Sequence, residues 1–465
     1  MRPLESLRDI PGAENAFLVG GSVRDSLLGR RPQDYDIAVF PPARRFAEAI
    51  CRKIGGHWFP LGKPGQEVLR VLSEGIPLDI SPVNGPTIES DLRKRDFTVN
   101  AMACRLSSGE TIDCTGGMAD LRSKTIRMVS PRSLAADPIR LLRAYRLAAQ
   151  LGFGIDPRTA AAVADRAPMI CTSAGERIHT ELFKLLAVDP AFPWVTQMAR
   201  DRLLFSILPE LSPLRGCRQG RHHALDAWAH TLSAFEEMEK ILIESGSLQG
   251  PGAGRLERLA GETPALLKLA VLLHDIGKPE TRRSAPGRTV TFHGHAEKGA
   301  EMAQAAAERL RCSAGETRTL EGIIRRHLQP LQLFISCRQH GKSRRRVTRF
   351  FMKNGPLSPL ILLHALADHR GKQRGNAPRD DDFSRFIQQL LDDYFTDFIQ
   401  EKARPALITG HDLISELGLK PGPEFKAILN RVEEARLSGE AATRSEGLRI
   451  AADHVSALGM GPRNG

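Results

Sequence analysis

The stretch AFLVGGSVRDSLLGRRPQDYDIAVF, residues Ala16 to Phe40, sets two glycines and an arginine ahead of two aspartates on a short apolar run. The segments AFLVG and YDIAVF have the apolar, β-rich content of strands, and SVRDSLLG between them reads as a helix. Residues two apart on a strand face the same way, so Asp34 and Asp36 are expected side by side, with Cα atoms roughly 6 to 7 Å apart. Two converging carboxylates repel unless a cation sits between them. An all-oxygen ligand set suits Mg²⁺, which keeps waters or substrate phosphates in its remaining positions. Gly20 and Gly21 end the first strand and let backbone N–H groups approach an anion without a Cβ in the way; Arg24, just inside the helix, adds charge and donors. Together these point to phosphoryl-transfer chemistry. A third acid, Asp79 in PLDIS, falls on a later apolar strand and could join the pair.

Outward from this stretch, short β-rich runs (EVLRVLS, IPLDIS, TIRMV) alternate with helical segments such as PARRFAEAICRKI up to about Val129, which predicts a small α/β domain. From Asp137 onward the pattern is helical: DPIRLLRAYRLAAQLGF, TAAAVADRA and ERIHTELFKLLAV carry apolar residues at three- and four-residue steps. Ser245 to Pro264 holds too much glycine and proline for an element and reads as a loop. The charge-dense segments Arg338–Arg346 and His369–Asp382 read as exposed, solvated loops, with a nucleic-acid contact as the alternative. Near the C-terminus, GLKPGP is expected to separate two helices.

The 465 residues suffice for two to four domains. Lysine and arginine number 66 against 54 acidic residues, a net charge of +12, which favours a polyanionic partner. Seven scattered cysteines without a CxxC pair argue against a disulfide framework or zinc knuckle and fit a reducing cytosol. The N-terminus is charged, and the apolar run LLKLAVLLHDIG is interrupted by Lys268 and His274, so neither an export signal nor a membrane span is expected.

The order Gly-Gly-Ser, DYDI, LDI is similar to the nucleotidyltransferase superfamily that includes DNA polymerase β. More specifically, LVGGSVRDSLLGRRPQDYDIAV, RKRDFTVNAMA, DPIRLLRAYRLAAQLGF and ERIHTELFKLL together resemble the class II tRNA nucleotidyltransferase and bacterial poly(A) polymerase family, collinearly from about Ala16 to Leu186. The resemblance implies that Asp34 and Asp36 are catalytic and bind Mg²⁺. It also implies that Arg95 and Asp96 help hold the nucleotide, Asp96 near its ribose, consistent with a carboxylate accepting from hydroxyls and an arginine pairing with phosphate. Arg140, Arg143 and Arg146, at three-residue steps, share a broad helix face, with Asp137 one turn before Arg140. In this family that aspartate–arginine pair reads the base edge, accepting from the exocyclic amine of cytosine or adenine while donating to the ring. Uracil or guanine would leave a polar group unpaired. Ala136 stands where the family usually has a glutamate, which opens the choice among CTP plus ATP, CTP alone or ATP alone.

Later, LLHDIGKPETR places His274 and Asp275 together on an apolar helix, where a buried His-Asp pair would strand a charge without a cation. With DAWAHTL, FHGHAEKG, IIRRHLQP and LADHRGK, the segment resembles the HD phosphohydrolase domain. That resemblance implies one metal on His230, His274, Asp275 and Asp368, and a second site completed by His295 and His327. Mixed imidazole and carboxylate ligands suit a divalent transition metal, which would activate water toward a phosphate ester.

The expected enzyme is therefore cytoplasmic, with a polymerase β-like α/β head (1–130), an all-α neck and body selecting the nucleotide (131–215), an all-α HD domain (216–400) and a helical tail contacting tRNA (401–465). The expected reaction adds C and/or A to the tRNA 3′ end from CTP and ATP. Alternatives are a poly(A) polymerase, or an HD phosphohydrolase whose head only binds RNA.

Overall fold

The computed structural model describes residues 7–32, 34–62, 68–73, 76–219, 225–245, 264–283, 290–341, 343–372 and 381–457. The chain divides into two compact units, Met1–Pro209 and Glu210–Gly465.

The first unit is built on a seven-stranded sheet: β1 (Ala16–Val19), β2 (Tyr35–Val39), β3 (His57–Leu61), β4 (Val68–Ser73), β5 (Ile76–Pro82), β6 (Ala103–Arg105) and β7 (Thr111–Ile112), in the spatial order β3-β4-β5-β2-β1-β6-β7. β1 has all four residues buried, as its unbroken apolar run requires of a central strand. β2 runs antiparallel to β1 and parallel to β5, with Val19 opposite Asp36 and Asp36 beside Asp79. Phe17, Val19, Ala38, Ile88, Leu92 and Ala103 form a core on the sheet. Helices Pro131–Ala136, Ile139–Leu151, Pro157–Arg166, Gly175–Leu186 and Phe192–Arg200 follow. Ile139–Leu151 packs on Gly175–Leu186 and ends at Gly152, a left-handed cap with φ +71°.

The second unit is helical among its described residues. Its helices include Ala227–Ser245, Pro264–Leu273, His295–Arg309, Ala314–Arg326 and Ser358–Lys372. Pro264–Leu273 is apolar nearly all round, and its side chains from Ala265 on are buried. The exception, Lys268, is fully buried and paired with Glu239 at 2.8 Å, so the interrupting charge is neutralised inside the core. Gly410–Ser415, Glu424–Leu437 and Arg444–Ala457 surround a separate core of Ile408, Leu413, Ile428, Val432 and Ala451, and GLKPGP lies between the first two as expected. No helix among the described residues is long and apolar enough to cross a membrane.

Four local expectations are corrected. Asp34 precedes the strand that carries Asp36: the polar GRRPQ segment offers no apolar side chain to bury, and strand pairing begins at Tyr35. Asp137 is not on the arginine-bearing helix but extended at φ −147°, ψ 95°, the conformation that a residue before proline, here Pro138, prefers. His274 and Asp275 lie in the turn after Pro264–Leu273, not on the helix. That turn lets Gly277 pass close to the start of His295–Arg309, where a Cβ would stand 2.2 Å from the His295 carbonyl oxygen. Arg338–Arg346 is two helix ends, Gln329–His340 and Arg344–Asn354, joined through Gly341, with residue 342 outside the description. The glycine-rich loop expected at Ser245 to Pro264 lies, from 246 to 263, outside the described residues, as does 373–380 of the other charged segment.

Candidate active site and metal centre

Parallel pairing of β2 with β5 brings Asp36 and Asp79 side by side, and Asp34 lies close enough to raise the Asp36 pKa by repulsion. Burial first, then Asp34, lifts the Asp36 carboxyl to about 6, while Arg95 and Arg70 pull the other way. The whole of Asp79 is claimed by Arg70, its register partner on β4, through two hydrogen bonds of 2.7 Å. Asp79 therefore shapes the field at Asp36 while its oxygens are occupied, and Arg70, unmarked in the sequence reading, is what occupies them.

Gly20 has φ +70°, the left-handed region. A Cβ there would lie 3.2 Å from Arg95 Nη1, pressing on that guanidinium, and 3.5 Å from Asp36 Oδ2, in ordinary contact with it. Ser22 ties this turn to β2: its hydroxyl accepts from the Asp36 N–H at 3.1 Å and donates to the Val19 carbonyl at 3.2 Å. Two cations flank the site, each fixed by a carboxylate. Arg24 is bonded to Asp25 (2.8 Å) and to Asn100 Oδ1 (2.7 Å); Arg95 is forked to Asp91 through Nε and Nη2, both 3.0 Å. Gly21 opens the helix that carries Arg24.

The expected ribose contact, Asp96, is buried and accepts from Arg143 Nη1 at 3.1 Å. Arg143 and Arg146 converge on Glu181, at 3.2 and 2.5 Å, so the three-residue spacing does give a shared face, held by a buried acid on the adjacent helix. Arg140 turns elsewhere: its Nη1 donates to the Lys94 and Ser133 carbonyls, its Nε is 4.0 Å from Asp137, and that buried N–H has no hydrogen-bond partner. Asp137 is gripped by Arg177 through two bonds of 2.9 and 2.8 Å. Burial would raise its pKa, but Arg177 prevails and holds it below the ordinary carboxylate value. Arg177 and Glu181 were legible as an i,i+4 pair in ERIHTELFKLL, yet nothing local says which partners they meet.

In the second unit, His230, His274, Asp275, His295, His327 and Asp368 converge as expected, all of them buried. His274 Nε2 lies 3.1 Å from Asp275 and 3.5 Å from Asp368; His230 Nε2 is 2.8 Å from Asp368; His295 and His327 face each other at 3.3 Å through Nε2. His274, His295 and His327 each have Nδ1 at 2.6 to 2.8 Å from the carbonyl three residues earlier. Donation from Nδ1–H to these carbonyls turns all three Nε2 atoms inward, an arrangement that orients metal-ligating imidazoles.

Burial opposes charge on His274, but Asp275 and Asp368 outweigh it and raise its pKa to about 9; burial drives His327 down to about 3. Lys278 and Lys372 pair with Asp275 (2.5 Å) and Asp368 (2.6 Å). His364, absent from the expected set, is fully buried beside His274 and His327, and neither of its ring nitrogens has a hydrogen-bond partner.

The donor sets suit metal ions of different kinds. The carboxylate oxygens of Asp34 and Asp36 fit a hard divalent cation, whose charge would offset the burial and the Asp34 repulsion that raise the Asp36 pKa. The imidazole-rich cluster fits a borderline transition ion.

Four family descriptions match consecutive parts of the chain: "Poly A polymerase head domain" (16–127), "Probable RNA and SrmB- binding site of polymerase A" (152–214), "HD domain" (228–376) and "tRNA nucleotidyltransferase domain 2 putative" (377–452). The CC-adding tRNA nucleotidyltransferase of Thermus thermophilus is 35% identical, across 93% of this chain and 92% of its own. The A-adding tRNA nucleotidyltransferase of Deinococcus radiodurans is 34% identical, across 94% of each. Among solved structures, the Thermotoga maritima CCA-adding enzyme complexed with tRNA has the same fold at TM-score 0.65, with 19% identity, over 98% of this chain and 95% of that one. Identity of this level along nearly the whole length of both sequences, on a shared fold, makes this chain a member of the tRNA nucleotidyltransferase family, with a poly(A) polymerase-type head and an HD domain.

Proposed function

We propose that the chain extends the 3′ end of tRNA by C and/or A nucleotides taken from CTP and ATP, without a nucleic-acid template. The observation that carries this reading is the Asp34–Asp36 pair at the start of the central strand β2, set against Gly20 and Arg95 in a chain whose curated relatives are CC- and A-adding enzymes. Asp34 and Asp36 hold Mg²⁺, which supplies Lewis-acid stabilisation of charge on the α-phosphate and lowers the pKa of the attacking hydroxyl. Arg24 and Arg95, held by Asp25 and Asp91, present fixed positive charge to the triphosphate. Asp96, steadied by Arg143, faces the ribose. Asp137, set by Arg177, accepts from the amine of cytosine or adenine, and Arg140 donates beside it. The basic surface holds tRNA by its phosphates and shape.

The work divides along the chain as head 1–130, nucleotide-selecting neck and body 131–215, HD domain 216–400 and tRNA-contacting tail 401–465. The HD cluster holds a divalent transition metal through His230, His274, Asp275 and Asp368, with His295 and His327 completing a second position. All seven cysteines are free, which supports a cytoplasmic setting.

The test is incorporation by purified protein on tRNA transcripts ending before, within or after CCA, each nucleotide supplied alone. C and/or A is expected to be added and U and G refused; failure to extend any transcript would overturn the proposal. Two variants probe the site's parts. Arg140→Ala is expected to slow addition and relax the preference for CTP and ATP over UTP and GTP by about 1 to 3 kcal/mol, one buried hydrogen-bonded contact. Unchanged selectivity across the four nucleotides would remove Arg140 from base reading. Gly20→Ala forces a left-handed alanine, costing about 1 to 2 kcal/mol, and crowds Arg95. Addition is expected to fall by about tenfold or more, and a wild-type rate would show that the tight spacing is dispensable.

A further inference from the structure

We propose that His364 is a metal ligand of the HD centre, adding a third imidazole to a face formed with His274 and His327. The inference rests on the reading that this cluster binds a transition metal. His364 has no exposed surface, and both its ring nitrogens are buried without a hydrogen-bond partner. A neutral imidazole always carries one N–H and one lone pair, so sealing both from water without a partner is costly, and a buried group of this kind calls for an occupant. Its ring neighbours are imidazoles: its ring centroid lies 5.2 Å from that of His274 and 5.6 Å from that of His327, which are 5.5 Å from each other.

That spacing is compatible with imidazoles that share an ion, as it is with packed rings, and it is the unpartnered nitrogens that favour the ion. A metal–nitrogen distance of about 2.0 to 2.1 Å puts a ring centroid roughly 3.2 Å from the ion, so two imidazoles at a tetrahedral angle have centroids about 5 Å apart. The cluster pairs His230–His274 and His295–His327 stand at 5.5 and 5.2 Å, the same range. His364 also sits one turn before Asp368 on the helix Ser358–Lys372, so both side chains leave the same face. Asp368 reaches His230 and His274, which fixes that face as the one turned to the centre. Unlike His274, His295 and His327, His364 has no carbonyl fixing its tautomer, so either nitrogen is available to the ion. A further nitrogen ligand shifts the centre toward Co²⁺, Ni²⁺, Zn²⁺ or Fe²⁺ and away from Mg²⁺.

The test is Co²⁺ titration of the full chain, stripped of metal by chelator, followed by equilibrium dialysis and visible absorption. The wild type is compared with His364→Leu and His364→Gln, with far-ultraviolet circular dichroism and melting as controls for folding. His364→Leu is expected to bind Co²⁺ about 10- to 100-fold more weakly, with a displaced absorption band; His364→Gln is expected to fall between it and the wild type. A folded variant of either kind with the wild-type affinity and spectrum would overturn the assignment and leave His364 a packing residue. Should the leucine variant not fold, the glutamine variant decides by the same two readings. A wild type that takes up no Co²⁺ would instead refute the metal centre itself.

Discussion

Asp36→Asn is expected to abolish nucleotide addition, by about a thousandfold or more, equivalent to a barrier raised by about 4 kcal/mol. The side chain keeps its size and its strand position, so tRNA binding, carried by basic groups elsewhere, should stay near wild type. What is lost is the negative charge that would hold a divalent cation. The same substitution has an opposite expected effect on stability. The Asp36 carboxyl in the fold has its pKa raised from 3.8 to about 6, so ionising it is harder in the native than in the unfolded chain. Without divalent cations, that penalty is absent below about pH 4, develops between pH 4 and 6, and is fully present above 6. The asparagine variant is therefore expected to melt higher than the wild type at pH 7 to 8 in chelator, with the gap closing as pH falls from 6 toward 4. Added Mg²⁺ should reverse the order by stabilising only the wild type. Near wild-type incorporation by the variant would remove Asp36 from the catalytic site, and equal melting curves at every pH would show that Asp36 carries no electrostatic strain.

These two readouts separate what the sequence disclosed from what only the fold could supply. The alternation of strands and helices, and the GGS and DYD motifs at their ends, were legible because local pattern decides them: an apolar run pairs, and a glycine turns. That Asp36 faces Asp79 depends on β2 pairing in parallel with β5, some forty residues away, and no local signal sets that register. The Arg70–Asp79 and Arg177–Asp137 pairs are hidden for the same reason. Asp137 was placed with Arg140 by counting residues, but the proline at 138 had already marked it as extended. His274 and Asp275 were readable as a buried polar pair, while their exit from the helix depends on Gly277 meeting the start of another helix. His364 was hidden among the apolar residues of LILLHALAD, although its four-residue step to Asp368 is visible in hindsight.

The second metal set gives the other large expected effect. His274→Asn combined with Asp275→Asn should strip tightly bound transition metal from the HD centre, and any phosphatase or cyclic phosphodiesterase activity with it. Asparagine at 275 keeps an acceptor for Lys278, which now stands 2.5 Å from Asp275 and would otherwise be a buried ammonium with only Gln219 Oε1, at 2.6 Å, to receive it. In the metal-free protein the cluster relies on a proton: His274, raised to about 9 by Asp275 and Asp368, carries positive charge where a metal would carry more. Metal uptake by the wild type at pH 7 should therefore release a proton, and calorimetry in buffers of different ionisation enthalpy would register it. The double variant should show neither the uptake nor the release. Addition to tRNA should largely persist, because Asp34 and Asp36 belong to a separate compact unit with its own ligands. Metal analysis, proton release and nucleotide addition on one preparation make the test. A variant that retains its metal would refute the ligand assignment, and one that stays folded but loses both metal and nucleotide addition would show that the two centres depend on each other.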